Sequence, residues 1–275
     1  LSSASVWLTR ATVFSSCEHK DLCFDHDAHA PKSDVHIKAV YEKEWEHTCE
    51  GGPDWEQYPA WESRFGMDYH ELCPDAPDGL RIQVYNEDGT NNVLNVAPEG
   101  DIVRMRPGEH SLLLYNNDTE YIVFDDMNSF ASAKATTRTR TRASYGGNPY
   151  MENTVENTVN APDMLYGNYM ENYTAERKTE TDELPVTMHP LVFTYLVRYE
   201  FSHGLEYVAL ARGALAGMAG AVWLNSGRTS EEAATILYDC SVEDFGTQAC
   251  VQSFGIPDYP NEHYGTCRTP LWAEP

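Results

Sequence analysis

The stretch "GLRIQVYNEDGTNNVLNV", residues 79–96, decides the fold. It reads as strand, turn, strand, with Asp88-Gly89 as the turn signal. Downstream, "GDIVRMRPGEHSLLLYNND" (100–118) predicts a second hairpin bent at Pro107-Gly108. A short strand follows in "EYIVFDD" (120–126). Upstream, "DVHIKAVY" (34–41) alternates, with Val35, Ile37, Ala39 and Tyr41 on one face of a half-buried strand. Turns spaced this closely, with no long helical pattern between them, predict an all-β sandwich.

The rest of the chain extends that reading. Residues 1–31 carry no core-forming periodicity. An acidic, Trp-bearing insertion occupies 42–78 and is broken by Gly51-Gly52-Pro53, with a short helix predicted from Pro59. The first sandwich is therefore expected over 32–126. Between 127 and 183 aliphatics thin out and Asn, Thr, Tyr and Glu dominate, so this stretch is expected to be a connector with some ordered strand. It contains "TRTRTR" (137–142), a basic island expected to be an exposed strand with Arg on one face and Thr on the other. Strand patterns return from Leu184 and predict a second β-sandwich over 184–275. Around 206–218 alanines would permit helix, but Gly213, Gly217 and Gly220 oppose it.

Of the 275 residues 41% are hydrophobic, enough for packed cores. The net charge is −24, and so acidic a surface repels nucleic-acid phosphates and anionic lipid head groups. No apolar run approaches the roughly 18–20 residues of a spanning helix.

Most chemistry is argued against. Cys17, His19, Cys23, His26 and His29 are zinc-ligand types, but they sit in a segment that looks unpacked, so no metal is expected. Asn86, Asp88 and Asn92 surround Gly89 without the remaining ligands of a calcium loop. No nucleophile elbow, P-loop or dinucleotide fingerprint occurs. Neither a catalytic role nor a cofactor is expected. Trp45, Trp55 and Trp61, beside Glu56 and Glu62, form a candidate glycan platform; the alternative is that these indoles pack the insertion onto the sandwich. Cys240 and Cys250 flank a turn-like stretch that permits a cross-hairpin disulfide, with unpaired buried thiols as the alternative.

"VFSSC" (13–17) places small residues, Ser15 and Ser16, directly before Cys17, as lipoprotein processing requires. Arg10 interrupts the apolar segment ahead of it.

Taken in order, "SSCEHKDLC", "GEHSLLLYNNDTEYIVF" (108–124), "PDMLYG" (162–167), "LPVTMHPLVFTYLVRYE" (184–200) and "ALAGMAGAVWLNSG" (214–227) resemble one family across roughly residues 15–265. It is a family of Bacteroidales lipoproteins of unknown function, similar to the minor-fimbrium anchor and FimB-like subunits of the fimbrillin superfamily. The resemblance implies two tandem transthyretin-like (Ig-like) β-sandwiches and a lipid anchor at Cys17. Residues 1–31 would then be a signal remnant and tether. It further implies a non-catalytic role at the outer-membrane surface as fimbrial anchor, assembly factor or adhesin. Similar proteins continue into further strands after "PDYPNEHYG", so the second sandwich is expected to lack its last strands. That would leave a groove that a fimbrial subunit fills by β-strand addition, a shortened chain being the alternative.

Overall fold

The computed structural model describes residues 33–42, 60–72, 74–142 and 156–261. The Asp-Gly hairpin forms as its sequence predicts. Strands β2 (Leu80–Asn86) and β3 (Asn91–Val96) pair antiparallel from Leu80↔Val96 to Tyr85↔Asn91. Gly89 has φ 80°, and the Asp88 carboxylate accepts hydrogen bonds from the Thr90 amide and hydroxyl, closing the turn. The alternation of β1 (Ser33–Tyr41) is equally faithful. Val35 and Ile37 are buried, with Ala39 and Tyr41 packed against the same core.

The second predicted hairpin does not form. β4 (Ile102–Met105) pairs with β1, whereas β5 (Gly108–Asn116) pairs with β2 and with β9 (Tyr166–Ala175). Pro107-Gly108 is therefore a corner that carries the chain from one sheet layer to the other. One layer is β4-β1-β10, where β10 (Asp182–Pro190) runs parallel to β1 from Val35↔Asp182 to Tyr41↔Met188. The other is β3-β2-β5-β9. The end of β10 joins the two, since His189 and Pro190 pair with Gly167 and Tyr166. Apolar side chains from β1, β2, β4, β5, β9 and β10 meet between the layers in one core, which makes this unit a sandwich.

The chain boundaries consequently differ from those expected. β9 and β10 belong to the first sandwich, which is completed only by Pro190, so 127–183 is no mere connector. It supplies β7 (Lys134–Thr137), β8 (Thr158–Asn160) and β9. Its Asn- and Tyr-rich composition concealed a strand because β9 lies in a layer with one exposed face.

β5 is buried on both faces. Leu112 and Leu114 enter the first core, while Leu113 and Tyr115 enter a second. That second core lies behind β5, against a three-stranded sheet of β6 (Ile122–Asp125), β7 and β13 (Ala221–Trp223), ordered β13-β7-β6. A third core fills the second sandwich. Its strands are β11 (Phe193–Glu200), β12 (Ala211–Ala219), β14 (Ala233–Glu243) and β15 (Gly246–Ser253), in the order β11-β15-β14-β12, with β8 parallel to β14. The region where alanines permitted helix is instead a single 3-10 turn, Leu205–Tyr207, followed by β12. The register of β12 shifts between Leu215 and Met218, and Gly217 at φ 78° takes up the bulge. Of the insertion, the described residues form α1 (Trp61–Phe65), close to the predicted start, and a 3-10 turn, Tyr69–Leu72.

Two polar residues lock the middle of the chain. The buried Asn116 amide donates to the Met164 carbonyl (3.1 Å) and accepts from the Tyr166 N–H (2.7 Å). The Asp163 carboxylate accepts from the N–H groups of Glu120, Tyr121 and Ile122, at 2.8, 2.5 and 3.2 Å. Residues of "YNNDTEYIVF" and "PDMLYG" thus hold one another directly.

Asn116→Ala strands a buried carbonyl and a buried N–H, so it is expected to lower unfolding free energy by about 2–4 kcal/mol in urea titrations. Gly100→Ala is expected to cost about 2 kcal/mol or more on the same measurement, since its φ is positive and the substituent meets backbone. A Cβ there would stand 2.0 Å from the Ile37 carbonyl oxygen, with φ at 98°.

Candidate functional site

Sheet edges differ in how they are guarded. β3 presents Asn91, Asn92 and Asn95, and β4 is four residues long with Arg104 paired to Asp34 at 2.8 Å. Short, polar or charged edges resist further strand pairing. β12 is nine residues long and reads "ARGALAGMA". Among the described residues it has one strand neighbour, β14. Its one charge, Arg212, is turned toward Asp239, with Nε 3.1 Å from Oδ1. Ala214 and Ala216 are exposed, and side chains this small leave the outer backbone groups open to a partner strand.

Small residues form this strand because β14 supplies the bulk. Gly213 lies opposite Tyr238, and a Cβ on Gly213 would stand 2.2 Å from the Tyr238 Cζ. The tyrosine ring thus covers the glycine across the pair. Burial, then the hydrogen bond with Tyr199, push the Tyr238 phenol up to about 12. At the other end of the sheet, β11 leads into an exposed apolar rim. It comprises Tyr199, Phe201, Tyr207 (84% exposed), Leu210 (63% exposed) and Val242.

The basic island stitches this sheet to its neighbours. Arg140 donates to the Leu237 carbonyl and to Asp239 (2.9 Å), and its hydrogen bond holds the Asp239 carboxyl below the usual range. Arg142 meets Glu156 through two hydrogen bonds of 2.6 and 2.7 Å. Alternate arginines of "TRTRTR" are therefore neutralised by acids, and Arg138 is exposed.

The residues singled out from the sequence are not brought together. Cys17, Trp45, Trp55 and Glu56 lie outside the described residues. Trp61 is half-buried, its ring 4.4 Å from Phe65 and 5.0 Å from Tyr69, so it packs within the insertion. Cys240 and Cys250 are free thiols. Cys240 packs against the third core, which also holds Ala249 and Val251, whereas Cys250, between those two residues, is exposed and faces the opposite way. A disulfide cannot span a sheet in that way. Burial raises both thiols above their usual range. Asp88 is occupied by Thr90 and by Arg106 at 3.1 Å, which accounts for it as a turn residue. Among the described residues no three His, Cys, Asp or Glu side chains group as metal ligands, and no helix is long and apolar enough to cross a membrane.

The described residues form an all-β chain of two sandwiches, with β12 an edge of small side chains on the second. Residues 56–239 match the family DUF5119, described as a domain of unknown function, and the chain belongs to it. It is 25% identical over 175 residues to the "Putative fimbrium anchoring subunit Fim4B" of Bacteroides ovatus, covering 63% of this chain and 50% of that protein. The chain thus spans about half the length of the curated relative it matches. A solved structure described as a "putative adhesin from Bacteroides ovatus" shares the fold at a TM-score of 0.63 and 22% identity, over 91% of this chain and 75% of that one. The fimbrial anchor protein Mfa2 from Porphyromonas gingivalis aligns at a TM-score of 0.47 and 11% identity, over 84% of this chain and 76% of that one, too distant to add to this. The resemblance read from the order of the motifs is borne out by the family and by the fimbrial relative.

Peptide mapping of protein alkylated without reduction is expected to recover Cys240 and Cys250 on separate alkylated peptides. A peptide cross-linked between them would contradict the opposite facing of the two thiols.

Proposed function

We propose that this chain is a non-catalytic cell-surface subunit that anchors or assembles fimbriae, or acts as an adhesin upon them. The observation that carries the reading is the match over 175 residues to a fimbrium-anchoring subunit. The unguarded β12 supports it, because a nine-residue edge of small side chains suits β-strand addition by a neighbouring subunit. In this reading Cys17, preceded by Ser15 and Ser16, carries the lipid that holds the chain at the outer membrane. Residues 18–31 form the tether. Stable anchoring by acyl chains requires more than one of them, and a lipidated N-terminal cysteine would bear several.

The two halves of the proposal are tested separately. Cells producing the full-length protein are expected to incorporate labelled palmitate into it, and Cys17→Ala to abolish the label. Label surviving that substitution would remove the anchor. In fractionated cells the protein is expected to travel with sheared fimbriae or with the outer membrane. Replacing the exposed Ala214 and Ala216 by Lys is expected to cut co-purification with fimbrial subunits while leaving the thermal melt in place. Unchanged co-purification would exclude β12 as the docking edge.

A further inference from the structure

A cavity of about 450 Å³ opens beside β7 and β13, within the size range of small-ligand sites. Its most telling residue is Trp223. This indole is half-buried, belongs to none of the three cores, and lines the cavity. Lys134 lies directly opposite it in the β13–β7 register, with Nζ 5.7 Å from the ring centroid and 3.3 Å from the Asp126 carboxylate. The ammonium thus stands over one face of an aromatic ring that borders the cavity.

The remaining wall is polar and mixed in sign. Arg228 is paired with Asp258. Glu231 and Glu232 are exposed on the same wall and make no ion pair among the described residues. Asn157 adds an exposed amide. Lys134 and Arg228 are thus outnumbered by three carboxylates, in a protein of net charge −24. An anion would be repelled. Asp126 and Asp258 neutralise the two resident cations, so Glu231 and Glu232 remain as acceptors beside the Asn157 amide. A ligand that suits interleaved donors and acceptors is one whose every polar group both donates and accepts. Hydroxyl groups do this, and a pyranose also offers an apolar C–H face to an indole.

We propose that this cavity binds a neutral saccharide, with Trp223 as the stacking surface and Asn157, Glu232 and Lys134 as hydroxyl partners. The proposal is independent of the fimbrial reading, and either can fail alone. The full chain is to be titrated with glucose, galactose, mannose, N-acetylglucosamine, maltose, cellobiose and lactose. Tryptophan fluorescence and saturation-transfer NMR supply the readouts. At least one sugar is expected to saturate the protein at millimolar concentration or below. Asn157→Ala and Glu232→Gln, both at exposed positions, are each expected to weaken it about tenfold, the scale of one hydrogen bond to a charged or polar partner. Trp223→Ala is expected to abolish binding; should that variant fail to fold, the two polar variants decide. Glucuronic acid is expected to bind more weakly than glucose. The proposal is overturned if no sugar saturates, if neither polar variant weakens binding, or if the acidic sugar binds more tightly.

Discussion

At the end of β5 the Asn116 amide donates to one backbone group and accepts from another across 48 and 50 residues of chain. Buried and satisfied on both sides, such an amide is worth more than its hydrogen bonds alone, because any other arrangement leaves polar groups stranded without water. It fixes where β9 begins, and the pairing of β9 with β5 follows. Asp163 closes the same junction by holding three successive N–H groups at the start of β6. The first sandwich and the sheet behind it are joined at this point.

At that junction β5 is covered on both faces. Its run Leu112-Leu113-Leu114-Tyr115 packs successive side chains into two different cores. A strand with one wet face alternates; one covered on both faces reads as a continuous apolar run. The unguarded β12 stands at the opposite extreme. Its bulk has been transferred to Tyr238 on the neighbouring strand, which leaves a smooth backbone edge where a partner can pair. The polar cavity at Trp223 lies on yet another surface, lined by β7 and β13. The edge proposed for a partner strand and the cavity proposed for a ligand therefore draw on different elements of one chain.

Much of the fold was legible because it was local. Asp88-Gly89 needs only its own neighbours to make a turn, and the alternation of Val35 and Ile37 needs only one buried face. Pro107-Gly108 shows where that logic stops. A proline-glycine bend is the same locally whether the chain returns beside itself or crosses to another layer, and only β1, more than sixty residues upstream, claimed β4. The Cys240–Cys250 spacing likewise looked suitable until the fold set Cys240 against the third core and left Cys250 exposed on the other face. "TRTRTR" was read as a surface stripe, since nothing nearby in sequence announces Asp239 or Glu156 as its partners. Trp223 was legible only as part of a family motif and not as a site residue. One indole among six becomes notable only when a polar wall is assembled around it.

The sequence by itself determined the all-β class, the positions of most strands and the family, because strand periodicity and turn chemistry are short-range and the motifs keep their order. Tertiary structure alone decided which strands are neighbours. The parallel pairing of β1 with β10 joins residues 35 and 182 across most of the first sandwich. Such contacts carry no local signature: their stability comes from burial that exists only once distant segments have met. For the same reason the open edge of β12 and the cavity beside Trp223 belong to the folded chain rather than to any stretch of its sequence.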